Sequence, residues 1–76
     1  MERRQLDVKG TKCPVPIVRA KKEIDGMHAG DVLEVLATDP GSVRDFEAFC
    51  RQTGNQLVES NESADGVFRY LIKKLA

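Results

Sequence analysis

"GTKCPVPIVRAKKEIDG", Gly10–Gly26, decides the fold, because it carries the chain from a short upstream strand into an amphipathic helix across a pair of prolines. Ile17, Ala20 and Ile24 recur at helical spacing with Val18 beside them. Arg19, Lys21, Lys22 and Glu23 take the remaining surface, so Pro14–Asp25 is predicted as a helix with one apolar stripe. Pro14 and Pro16 fall where the first amides of a helix have no intrahelical acceptor, and neither sacrifices a hydrogen bond there. Gly26 is placed to stop the helix at positive φ, with Met27 folding back onto it.

Upstream, Gln5–Val8 alternates polar and apolar residues, with Leu6 and Val8 on one face, and reads as a strand. Downstream, Asp31–Thr38 carries Val32, Leu33, Val35 and Leu36 and reads as a largely buried strand. "DPGSVRDFEAFCRQTGN" (Asp39–Asn55) then opens a second helix, with Asp39 as N-cap, Pro40 in the first turn and Gly54 as the stop. Val43, Phe46 and Cys50 form its inner stripe, with Phe49 beside it. Asn55–Glu59 is a short polar third strand, and Val67–Lys73 a fourth with Phe68, Tyr70 and Ile72 on one face. Asp65-Gly66 supplies the turn chemistry of an antiparallel hairpin between them. The order is βαβαββ. A right-handed crossover puts both helices on one face of a four-stranded mixed sheet, giving a two-layer α/β sandwich with the other face open.

Seventy-six residues make a single domain, 1–76, whose core leaves little room for an enclosed substrate cavity. Lys and Arg number 12 and so do Asp and Glu, which argues against direct nucleic-acid binding driven by net charge. The basic residues Arg3, Arg4, Lys9, Lys12, Arg19, Lys21 and Lys22 nevertheless crowd the first third. No apolar run reaches the length of a membrane span, and no signal-type stretch follows Met1. Two cysteines then read as free thiols in a reducing compartment, and a cytoplasmic location is expected.

Cys13 occupies the slot before a proline-started helix that Asp39 occupies in the second helix, and a neutral thiol is a poor cap. Stability alone would favour Ser, Thr, Asp or Asn there by about 1 kcal/mol. The prolines instead provide a rigid mount for an exposed sulfur. Free amides at the helix start (Val15, Ile17), the helix dipole and the charge of Lys12, with Lys9 or Arg19, predict a thiol pKa below its ordinary value. Cys50 lies one turn beyond Phe46 and reads as core. His28 is a turn residue rather than a base, and Asp7 has a turn role by default. One histidine and two separated cysteines make no metal-ligand cluster, and the glycines form no phosphate loop. A cysteine hydrolase would need a base and a pocket that this chain lacks, whereas a thiol that only receives and passes on a group needs neither.

"LDVKGTKCPVPI" resembles the L-D-x-x-G-x-x-C-P-x-P signature of the TusA/SirA-like sulfur carriers, and the similarity runs on through "DPGSVRDFEAFCRQTGNQLVE" to "YLIKK". The resemblance implies the same sandwich fold and a sulfurtransferase-type carrier rather than a stand-alone turnover enzyme. It implies that Cys13 accepts sulfane sulfur as a persulfide from a cysteine desulfurase or rhodanese-type donor. A downstream acceptor, a DsrE-type or relay carrier, then takes that sulfur. Pro14 and Pro16 match the mount, and Asp7 and Gly10 fall in register as motif support. Val15 fills a variable position where some relatives carry an acid. No cofactor is implied beyond the covalent persulfide. The family serves tRNA thiolation, cofactor synthesis and sulfur oxidation, and the resemblance selects none of them. Lys12, Arg19 and Lys22 are the candidate docking surface. Three other readings stay open from the residues themselves: an RNA-binding module, a thiol-redox protein using Cys50, and a regulatory module that does not use the thiol.

Overall fold

A computed structural model describes residues 2–75. Its elements are β1 (Arg3–Asp7), α1 (Val15–Asp25), β2 (Val32–Ala37), α2 (Ser42–Thr53), β3 (Gln56–Glu62) and β4 (Phe68–Lys73). β1 runs parallel to β2, β4 lies antiparallel against β2, and β3 lies antiparallel outside β4, so the sheet order is β1-β2-β4-β3. Both helices pack on one face, as the βαβαββ patterning predicts. Among the described residues no helix is long and apolar enough to cross a membrane.

Strand alternation decides which side residues fall on. Leu6 and Val8 at β1, Leu33, Val35 and Ala37 on β2, and Phe68, Tyr70 and Ile72 on β4 are buried beneath the helices. They align across the sheet, Leu6 against Val35 and Val35 against Tyr70. α1 lays Pro16, Ala20 and Ile24 on this floor, and α2 lays Phe46, Phe49 and Cys50. Phe46 packs against Tyr70 with ring centroids 4.8 Å apart and meets Phe49 edge-on at 6.2 Å. The buried Tyr70 hydroxyl shares a 2.7 Å hydrogen bond with the buried Ser42 hydroxyl, so neither polar group is stranded in the core.

The open face centres on Glu34. Arg3 and Arg69 pair with it from the flanking strands, and Gln5 Nε2 donates to it at 2.8 Å. The hydrogen bonds from Gln5 and Arg69 hold its carboxyl below the ordinary carboxylate range. On β3 the register with β4 slips between Leu57 and Glu59, leaving Val58 exposed as the extra residue of a bulge.

Several expectations are corrected. α1 starts at Val15, because Val15 N–H donates to the Lys12 carbonyl and Val18 N–H to that of Pro14, which makes Pro14 the flanking residue. Cys13 is therefore not the cap. Val18 is 60 % exposed and stands outside the apolar stripe. β3 extends to Glu62, since pairing with β4 carries it past residues whose polarity disguises a strand. Gly26 sits at φ −90° rather than in the left-handed region. The end of α1 is closed by the Gly26 and Met27 N–H groups on the Glu23 and Ile24 carbonyls, and Lys74 reinforces it, its Nζ donating to the carbonyls of Ile24 at 2.8 Å and Met27 at 2.7 Å. Charge-assisted bonds to helix-end carbonyls combine hydrogen bonding with the dipole. Lys74→Ala is expected to destabilise the fold by about 1–2 kcal/mol in urea denaturation, with Lys74→Arg largely restoring it. No loss in the alanine variant would refute the cap.

A second tie was not foreseen. Asp31, 5 % exposed, accepts the backbone N–H groups of His28 at 3.0 Å and Glu2 at 2.9 Å. These bonds, His28 first, hold its carboxyl below the ordinary value of 3.8. A depressed folded-state pKa contributes stability that is present above the unfolded value and lost as pH falls through the folded value. Stability is expected to decline as pH is lowered from about 5 toward 2, with Asp31→Asn flattening part of that decline. An unchanged slope in Asp31→Asn would show that Asp31 does not contribute.

Candidate functional site

The segment joining β1 to α1 is pinned at several points. Val8 N–H donates to the Leu36 carbonyl at 2.8 Å, and the Thr11 hydroxyl returns to the Val8 carbonyl at 2.6 Å. Asp7 accepts the Lys9 N–H at 3.0 Å, the turn role expected of it, and pairs with the Lys9 ammonium at 3.7 Å. Gly10 takes φ +81°, a left-handed conformation that side chains rarely adopt, and its N–H reaches Thr38 Oγ1 at 2.9 Å. Gly10 thus provides the turn that brings the chain over the end of β2.

Cys13 follows, exposed, and its peptide bond to Pro14 is cis. Its backbone N–H donates to Asp39 Oδ2 at 3.0 Å, while Asp39 Oδ1 accepts the Gly41 N–H at 3.1 Å. Asp39 is therefore not the N-cap of α2, a position that falls to Gly41. One carboxylate oxygen is committed to the turn and the other to Cys13, so Asp39 straps the two helix entrances together. Those two amide bonds, Cys13 first, and then the charge of Lys12 hold its carboxyl below the ordinary range.

The sulfur lies in a shallow cleft of about 240 Å³ where α1 and α2 approach each other. Pro14, Ile17, Ala48 and Phe49 make its apolar walls, and Asp45 and Gln52 supply the polar ones. Cys13 and the Asp45 carboxylate line this same cleft. Interaction with the Asp45 carboxylate first, then partial desolvation, then the charge of Asp39 push the thiol pKa above its ordinary 9.0. The expected lowering is thus reversed. Its premise fails because the Val15 amide is occupied by the Lys12 carbonyl and two carboxylates face the sulfur. The carboxylates thus favour the neutral thiol over the thiolate. Cys50 is buried, and burial pushes its thiol up to about 11, as a core residue requires.

A wider groove of about 480 Å³ continues from the cleft between the helices, sharing Ile17, Phe49 and Gln52 with it. Lys22 stands on its wall beside Val18 and Lys21. Lys12 is exposed next to Cys13, and Arg19 is exposed on α1. Cys13 and Pro14 are thus brought into one cleft, Pro16 is buried beneath the helix, and Lys22 lies farther along the groove. Asp45 and Gln52 are the residues that sequence reading missed. Their signal was a second helical stripe, Asp45, Ala48, Phe49 and Gln52, adjacent to the core stripe and aimed at α1.

Comparison with known proteins matches this arrangement. The family described as Sulfurtransferase TusA matches residues 4–74. The sulfur carrier protein TusA of Allochromatium vinosum is 59% identical over 70 residues, covering 92% of this chain and 91% of that protein. The sulfur carrier protein TusA of Pseudomonas putida is 39% identical over 71 residues, covering 93% of this chain and 88% of that one. A SirA-like protein of Desulfitobacterium hafniense, seen in a crystal structure, superposes with a TM-score of 0.84 at 30% identity, over 96% of this chain and 99% of its own. With the fold, the exposed cysteine before a proline and the family match in agreement across nearly the whole length, the chain belongs to the TusA sulfurtransferase family.

Proposed function

We propose that the protein is a sulfur carrier that holds sulfane sulfur as a persulfide on Cys13. The observation that supports this most directly is the exposed sulfur of Cys13 on a pinned loop, at the mouth of a cleft too shallow to enclose a substrate. A group that must enter two partner sites in turn needs this exposure. In the loading step Cys13 sulfur attacks the outer sulfur of a donor persulfide, on a cysteine desulfurase or a rhodanese. A new S–S bond forms at Cys13, the donor S–S bond breaks, and its electron pair leaves on the donor sulfur. In delivery an acceptor cysteine attacks the same outer sulfur and restores Cys13. Which acceptor docks, a DsrE-type protein or a further relay carrier, sets the route: tRNA thiolation, cofactor synthesis or sulfur oxidation. The reducing cytoplasm is the setting that suits one exposed and one buried free thiol.

The test is intact-mass spectrometry after incubation with a cysteine desulfurase and cysteine. A reductant-labile gain of one sulfur atom is expected. If neither that donor nor a charged rhodanese produces it, the carrier reading fails and a thiol-independent binding module takes its place.

In this reading Lys12, Arg19 and Lys22 steer partners to the cleft. Lys22, on the groove wall, gives the sharpest test. Lys22→Glu is expected to slow sulfur transfer several-fold at low salt, in line with the electrostatic part of association rates. Alkylation of Cys13 by a small neutral reagent should be unchanged. Equal transfer rates would remove Lys22 from the docking surface.

A further inference from the structure

Charging Cys13 with sulfur changes what the surrounding carboxylates meet. Asp45 reaches the cleft of the Cys13 sulfur from α2. Asp39, from the β2–α2 loop, holds the Cys13 N–H from the other side. The charged groups facing the sulfur are these two acids, and Lys12, the cation beside it in the chain, has its charge acting on Asp39. Pro14, Ile17 and Phe49 exclude water from part of the rim. A persulfide is a stronger acid than the thiol it replaces, because the neighbouring sulfur draws off electron density. Loading therefore turns a neutral thiol into an anion, and the anion faces Asp45 across a partly apolar cleft.

We propose that Asp45 promotes discharge of the carrier: its carboxylate lines the cleft that receives the sulfur and repels the loaded persulfide, so that sulfur is held in the less favoured state and handed on. The proposal rests on Cys13 being the carrier. The balance at neutral pH is donor–S–S⁻ plus Cys13–SH giving donor–SH plus Cys13–S–S⁻. The donor's inner sulfur takes the electron pair of the broken bond and the proton given up by Cys13, the outer sulfur keeps its charge on moving to Cys13, and no net oxidation occurs.

The experiment equilibrates the protein with glutathione persulfide and glutathione at a fixed ratio and reads the persulfidated fraction by intact mass. Wild type, Asp45→Asn, Asp45→Ala, Asp45→Glu and Cys13→Ser are compared, with circular dichroism confirming their folds. The loading constant is expected to rise severalfold in Asp45→Asn, up to roughly fivefold for a unit charge about 4 Å away in a water-like medium. Asp45→Ala should behave the same way and serves if the asparagine variant does not fold. Asp45→Glu should stay near wild type. The gap between Asp45→Asn and wild type should shrink at high salt and close at a pH low enough to protonate the persulfide, which a purely structural role would not produce. A wild type that loads normally, with the loading constants of both neutral variants equal to its own, would overturn the proposal. A wild type that does not load, or a Cys13→Ser that loads equally well, would overturn the carrier reading instead.

Discussion

Cys13→Ser is expected to take up no sulfane sulfur from either donor class, while Cys50→Ser charges to the wild-type level. Serine preserves almost everything around the site. The strap to Asp39 comes from the backbone N–H and survives. Only the sulfur is lost, and oxygen forms no persulfide. Because the side chain is exposed, the fold should change by no more than about 0.5 kcal/mol. Cys50→Ser presents the opposite case. Its thiol is buried against the sheet and held neutral, with a pKa of about 11, so it contributes packing rather than chemistry. A serine hydroxyl there is expected to cost about 1–3 kcal/mol through desolvation. Intact-mass and denaturation measurements on both variants separate the two roles. Sulfur found on Cys13→Ser, or charging lost in a folded Cys50→Ser, would reassign the carrier residue.

Phe46→Ala is expected to cost about 3–5 kcal/mol, the usual range for removing a fully buried aromatic ring. Phe46 is fully buried, contacts Tyr70 face to face in a tilted stack and Phe49 at its edge, and joins α2 to the centre of the sheet. A domain of 76 residues has a total stability of roughly 4–11 kcal/mol, so this single truncation removes a large fraction of it. The consequence reaches the site, because the same helix presents Asp45 one residue earlier. Urea denaturation should show a much lower midpoint, and sulfur loading should weaken under mildly denaturing conditions where wild type still loads. A loss below about 1 kcal/mol would mean that the cavity collapses around the missing ring.

The elements were legible because their apolar residues follow regular periods: Leu6 and Val8, Phe68, Tyr70 and Ile72, and the stripe of Phe46 and Cys50 all lie where alternation or helical spacing puts them. Helix starts were less so. X-Pro suggests an N-cap and a first helical residue, yet Asp39 and Cys13 are joined to each other across the fold, a pairing 26 residues apart that no local rule contains. The same holds for Lys74 closing α1 and for Asp31 holding Glu2. Cys13 could be singled out from its neighbours in the chain, but the upward direction of its thiol pKa could not. That direction depends on Asp45, brought into the same cleft from α2, and on a Val15 amide already taken by Lys12.

The bulge on β3 has a consequence for how the molecule behaves in a crowded cell. A protein with no net charge has no colloidal repulsion between copies, so the rims of its sheet must discourage stacking by themselves. The outer rim carries Glu59 and Glu62 and falls out of step at Val58, while the opposite rim, β1, carries Arg3, Arg4 and Asp7. An incoming strand would lose its hydrogen-bond register partway along one rim and meet charged side chains on the other. Edge-to-edge pairing between copies is therefore disfavoured on both rims, on one by broken register and on the other by charge.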